Sequence, residues 1–183
     1  MNSKAQAWFT DFIIGMSIFI LFLIIYFSHT SNLSKREIKA FDDLTSDAKS
    51  ISSLLVLEGY PANWTISNVQ RIGLTNNDQK INQNKLDLFF NLSYGGRKSL
   101  FNTQYDYFVF FKNNDGCLIN ASGNFGIGHP GVAIVKLAQE TACNGFVEGS
   151  VDLSGVNFEN IVRTDRLLIY KSKIIDMVIY LWQ

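Results

Sequence analysis

Apolar positions along this chain fall into three rhythms. From Ala7 to Phe27 they are nearly continuous, 21 positions interrupted by a single charge, Asp11. A helix of that length rises about 31 Å, the thickness of a bilayer's hydrocarbon core. The many large apolar side chains, each favouring insertion by roughly 0.3 to 0.6 kcal/mol, outweigh one acid near the edge, penalised by about 2.5 to 3.5 kcal/mol even at the centre. The second rhythm places Ile38, Phe41, Leu44, Ala48, Ile51 and Leu55 at steps of three and four, with Asp43, Asp47 and Ser50 on the other face. That spacing predicts an amphipathic helix. Ser34-Lys35-Arg36-Glu37 has the form of a capping box, so this helix either restarts there or runs on from the apolar segment. Gly59 and Pro61 mark its end.

The third rhythm begins at Tyr60, where turn formers separate short runs rich in aromatic and β-branched residues, as in an antiparallel sheet. A strand is expected near 68–74. A helical interlude follows over 83–102, with Leu86, Phe89 and Phe90 on one face and Gly95-Gly96 as a break. "YDYFVFF", Asn113-Asn114-Asp115-Gly116 and "CLINAS" read as strand, turn and strand. On that first strand, Tyr105, Tyr107, Val109 and Phe111 share one face while Phe108 and Phe110 share the other, so both faces are expected to be covered, one by the amphipathic helix. The closing segment "NIVRTDRLLIYKSKIIDMVIYLW" supplies two long strands around Lys171-Ser172-Lys173. The glycine-rich stretch 123–149 reads as loop plus strand.

The expected fold class is therefore α+β: a long hydrophobic N-terminal helix followed by an antiparallel β head. The stem covers residues 6–58, with 6–27 as the apolar part and 28–58 as the amphipathic part; the head covers 59–183. About 125 head residues suffice for one core.

Composition narrows the function. The 16 Lys and Arg balance 16 Asp and Glu, without a long run of either sign, so a general grip on nucleic-acid phosphates has no electrostatic basis. The positive-inside rule is equivocal, with Lys4 before the apolar run and Lys35, Arg36 and Lys39 after it. Two features favour an external head. Cys117 and Cys143 form an even pair that can close a disulfide, and sequons start at Asn32, Asn63, Asn91 and Asn120.

Catalytic material is sparse. No HExxH, CxxC or Walker loop occurs, and the histidines are His29 and His129. Cys117 with His129 can be drawn as nucleophile and base, but pairing of Cys117 with Cys143 is simpler. The glycines at 123, 126 and 128 lack the strand and helix a phosphate loop needs, and 113–116 lacks the later acid of a calcium loop. No enzyme activity, cofactor or metal is expected. A cleaved secretory signal also fits poorly, because the apolar run is too long and "YFSHTS" is a poor cleavage site.

Lys4-Ala5-Gln6, directly before an apolar helix that carries an acid near its start, resembles the archaeal type IV pilins and pilin-like proteins with class III signal peptides. The resemblance covers about the first 60 residues. It implies that a prepilin peptidase cuts between Ala5 and Gln6, so that 1–5 is a leader and the helix stays with the mature chain. It further implies membrane insertion, then assembly into a homo-oligomeric helical filament at the cell surface, serving adhesion. The departures are Ala5 where the family often has glycine, and Asp11 as sixth mature residue where the acid is commonly fifth. On this reading Asp11 sets helix register opposite a neighbour's new amino terminus, and Gly15 and Ser17 let helices approach closely. The alternative is a single-span membrane-anchored protein with an external ligand- or sugar-binding domain.

Overall fold

Two ten-residue strands joined by a two-residue turn form one side of the sheet. In the computed structural model the backbone of residues 3–183 is described; residues 1–2, and the side chains of 3–8, 31–38 and 142, lie outside the described residues. The elements are α1 (Ser3–Val56), α2 (Gln83–Asn91), α3 (Tyr94–Phe101), β1 (Asp106–Lys112), β2 (Gly126–Gly128), β3 (Ala133–Ile134), β4 (Val151–Asp152), β5 (Ile161–Tyr170) and β6 (Lys173–Trp182). The layout is α+β, with an apolar N-terminal helix followed by helices and an antiparallel sheet ordered β2-β1-β6-β5. The chain forms two compact units, Met1–Asp42 and Asp43–Gln183.

The second unit is built around the β5–β6 hairpin. Lys171 and Ser172 both take positive φ, 50° and 64°, which a two-residue turn matched to the twist of its strands requires. β6 is central because both of its faces are apolar. Ile175, Met177, Ile179 and Leu181 point to one core, and Val178 and Trp182 to another. β1 repeats this alternation as the sequence predicts. Tyr107, Val109 and Phe111 join the first core with Leu44, Ala48, Ile51 and Leu55 of α1, while Phe108 and Phe110 join the second. Each of the four α1 side chains is at most 1% exposed, so the helical stripe supplies this unit's packing from Leu44 onward. Phe41, the preceding member of the stripe, is 46% exposed. The sequence division at residue 59 follows the end of the stem, whereas the division by packing falls at Asp42/Asp43.

Four expectations need adjusting. α1 ends at Val56, three residues short of Gly59. The segment 60–82 contains no strand; it is a run of turns and isolated bridges such as Tyr60↔Arg71, held from inside by Trp64, whose indole N–H donates to the Gly73 carbonyl at 3.0 Å. The indole buries its ring and satisfies its N–H at once, and backbone bonds such as Leu74 N–H to the Leu55 carbonyl at 2.9 Å hold the segment with it. Gly95 and Gly96 lie inside α3, and the break between α2 and α3 is at Leu92-Ser93, where the Ser93 hydroxyl caps α3 by accepting from Gly96 N–H. The turn after β1 forms as expected, with Asn113 N–H donating to the Cys117 carbonyl at 3.0 Å. Its return limb, however, is an isolated bridge, Lys112↔Leu118, and the ladder along β1 resumes only at β2.

Glycine is needed in β2 by close approach. A Cβ on Gly128 would sit 2.2 Å from the Tyr107 carbonyl oxygen, and one on Gly126 would sit 2.6 Å from the Phe108 ring. Residues on both sides of β2, namely Phe125, Val132, Ile134, Phe146 and Val151, cover the second core, and Phe125 stacks on Phe146 with centroids 4.3 Å apart. Cys117 and Cys143 are joined by a disulfide, Cα to Cα 5.2 Å, which ties this covering to the end of β1. Closing a loop of that size contributes about 3 to 4 kcal/mol.

Candidate functional site: the apolar helix and the surface of the head

In the first unit, Phe9–Thr30 is a 22-residue helical stretch with a mean hydropathy of 2.3, none of it buried. Among the described residues it is the one helix long and apolar enough to cross a membrane, the composition of a membrane anchor or a signal sequence. Phe19, Phe22, Ile24 and Phe27 are each more than 60% exposed. Water does not tolerate such a surface, so lipid or other protein must cover it.

Residues singled out in this stretch behave as follows. Asp11 is exposed and makes no ion pair among the described residues. A Cβ built on Gly15 meets nothing within 4 Å, so nothing among the described residues requires glycine there. The Ser17 hydroxyl donates to the Ile13 carbonyl at 2.8 Å, and Thr30 does the same to Tyr26 at 2.9 Å. Both hydroxyls are thereby satisfied within the helix, as an apolar medium demands. Lys4, Ala5 and Gln6 fall in the first turns of α1, but their side chains lie outside the described residues, as does that of Asn32.

On the second unit, Asn63, Asn91 and Asn120 are all exposed. Asn63 lies among turns, Asn91 ends α2, and Asn120 caps a turn by accepting from Gly123 N–H at 3.0 Å. Cys117 is held in the disulfide and has no thiol to serve as a nucleophile beside His129. Gly126 and Gly128 are spent on packing against β1. Asn113 orders its own turn, accepting from Asp115 N–H at 3.0 Å and Cys117 N–H at 2.9 Å. No group of side chains suited to a metal ion occurs among the described residues.

Two charged clusters are built on the sheet, one at each end of β1. In the first, Asp106 accepts from Lys98 Nζ at 2.6 Å and from the Tyr94 hydroxyl at 2.7 Å, with His129 Nε2 3.9 Å away. Burial pushes the Asp106 carboxyl up, but the hydrogen bonds from Lys98 and Tyr94 and the charges of Lys98 and His129 prevail and hold it below its usual range. Burial, followed by the bond to Asp106, pushes the Tyr94 phenol well above its ordinary value. Behind them Arg97 is buried, donating to the Tyr107 hydroxyl at 2.9 Å and to the carbonyls of Leu92 and Phe89 at the end of α2. Burial pushes Tyr107 up to about 12 against the opposing pull of Arg97. In the second cluster Glu148 receives Lys112 at 2.7 Å, the Tyr180 hydroxyl at 3.3 Å and Arg163, which also pairs with Asp165 at 2.9 Å.

Neither cluster is legible in the sequence, nor is the role of Lys85, which is 5% exposed. Its ammonium donates to the carbonyls of Glu58 and Thr75 at 2.9 and 2.8 Å, binding α2 to the chain beyond α1, and burial lowers its pKa. A hollow of about 550 Å³ lies between Asp43 and Asp47 of α1 and Lys98, Ser99, Asn102 and Thr103. It is shallow and polar, unlike the enclosed apolar pockets that hold small ligands. No protein-family model, curated protein or solved structure matches this chain.

Proposed function

We propose that the protein is a pilin-like subunit whose N-terminal helix first anchors in the membrane and then packs against copies of itself in the core of a surface filament, carrying the β-rich unit outward for attachment. The observation that carries this reading is the Phe9–Thr30 stretch: fully exposed, apolar on every side, and interrupted near its start by one acid. A lipid anchor alone needs no Asp11. A carboxylate at that depth is favourable when it meets a positive charge, and the amino terminus of a processed neighbour supplies one. The open space at Gly15 fits close approach of a second helix. The Cys117–Cys143 disulfide and the exposed sequon asparagines accord with a head outside the cell.

The test compares native chain and variant. On this reading Asp11→Ala inserts into membranes at the normal level but yields no filaments. Filaments of normal length from Asp11→Ala overturn the role given to Asp11.

A further inference from the structure

β5 is an edge strand, and part of that edge is open. In the β5–β6 ladder Tyr170 pairs with Lys173 across the turn, so the even-numbered residues of β5 direct their backbone groups at β6 and the odd-numbered ones direct theirs outward. Ile169 confirms the phase: its N–H donates to the Gln79 carbonyl at 2.9 Å, and its carbonyl accepts from Ile81 N–H at 2.8 Å. The 79–81 segment therefore covers the edge at Ile169. No backbone partner beyond β6 is found for Ile161, Arg163, Asp165 or Leu167 among the described residues. Of the usual protections, 161–167 has charged side chains, Arg163, Asp165 and Arg166, but lacks others. It has no proline, its ten-pair register with β6 has no bulge, and it leaves Leu167 66% exposed.

We propose that this edge pairs with the same edge of a second copy, antiparallel, about a two-fold axis at Thr164. Charge selects the occupant and the register. With Thr164 opposite Thr164 of the copy, Arg163 faces the copy's Asp165, Asp165 faces its Arg163, and Ile161 and Leu167 face each other twice. All four are pairs of outward-facing residues, so they exchange about eight backbone hydrogen bonds. Sliding to the next register that keeps this phase sets Arg163 against Arg163 in one direction or Asp165 against Asp165 in the other, and like charges directly opposite are destabilising. On the same face Arg163 already meets Glu148 and Asp165 of its own chain, so the approaching carboxylate joins an alternating row of charges. Ile161 of the copy covers the exposed Leu167. This contact does not use α1 and is independent of how the helices assemble.

Oxidative cross-linking of the full chain in detergent tests it. Thr164 is the non-hydrogen-bonded pair at the axis, where Cα atoms lie about 4.5 Å apart, within reach of a disulfide. Thr164→Cys is expected to give a covalent dimer, and Val162→Cys, whose opposite residue is Arg166, is not. Adding Arg163→Asp or Asp165→Arg to Thr164→Cys sets like charges opposite each other twice and should reduce the dimer by about tenfold. Mixing those two double variants restores opposite charges and should restore the dimer as a heterodimer, which also shows that both are folded. Absence of the Thr164→Cys dimer, equal cross-linking at residue 162, or a yield indifferent to the charge swaps and their mixing overturns the proposal. The Asp11→Ala variant should still cross-link, separating this contact from filament assembly.

Discussion

At the residue scale, two glycines make opposite predictions from the space around them. Gly128 has the Tyr107 carbonyl oxygen 2.2 Å from where a Cβ would stand, and that oxygen belongs to a central strand that cannot move aside. Gly128→Ala should therefore destabilise the β-rich unit by about 1 to 3 kcal/mol, read as a lower denaturant midpoint. Gly15 has open space and lies within a helix, where alanine is favoured by about 1 kcal/mol. Gly15→Leu should leave the unfolding of the β-rich unit unchanged and impair only association of the apolar helices. Asp106 makes a prediction in pH. Its folded carboxyl lies below the usual range, so its stabilisation is complete above the unfolded value of about 4 and is lost as pH falls toward the folded one. Asp106→Asn should flatten the stability profile below about pH 4 while lowering the plateau at neutral pH. Urea titrations at several pH values measure both.

At the element scale, α1 serves two environments along one sequence. Its last turns, from Leu44, are core: Ile51→Ala removes a side chain that is 1% exposed and should cost about 2 to 5 kcal/mol in the unfolding of the β-rich unit, without altering membrane insertion by Phe9–Thr30. Elements with a period are the ones that could be read from sequence. The stripe from Leu44 to Leu55, the two faces of β1 and the hairpin around Lys171-Ser172 each announce themselves through local alternation that the core enforces. The segment 60–82 did not, because its order comes from one indole and from Lys85 reaching back to Glu58 and Thr75. Gly126-Ile127-Gly128 did not, because only the nearness of β1 makes a strand of it. Asp11, Gly15 and Ser17 are singled out from the sequence of one helix, and their roles in assembly belong to the proposal. The Asp106 and Glu148 clusters were not legible, since topology brings together residues such as Glu148 and Lys112, which are 36 positions apart.

At the scale of the whole molecule, the β-rich unit has its own two-sided core and a disulfide, whereas the apolar stretch has no packing of its own. On the proposed function, this asymmetry lets the head fold before assembly while the helix waits for lipid or for neighbours. It also locates the disulfide's contribution. Replacing Cys117 and Cys143 with serine should lower the stability of the β-rich unit by about 3 to 4 kcal/mol, chiefly by freeing the unfolded chain from a closed loop, while the apolar helix is unaffected. The proposed filament role is decided most directly by the intact mass of the chain recovered from sheared surface filaments of the cells that make it. A chain beginning at Gln6, with residues 1–5 absent and the apolar helix retained, is the expected result; a chain still carrying Met1, or one that has lost the helix as well, overturns the proposal.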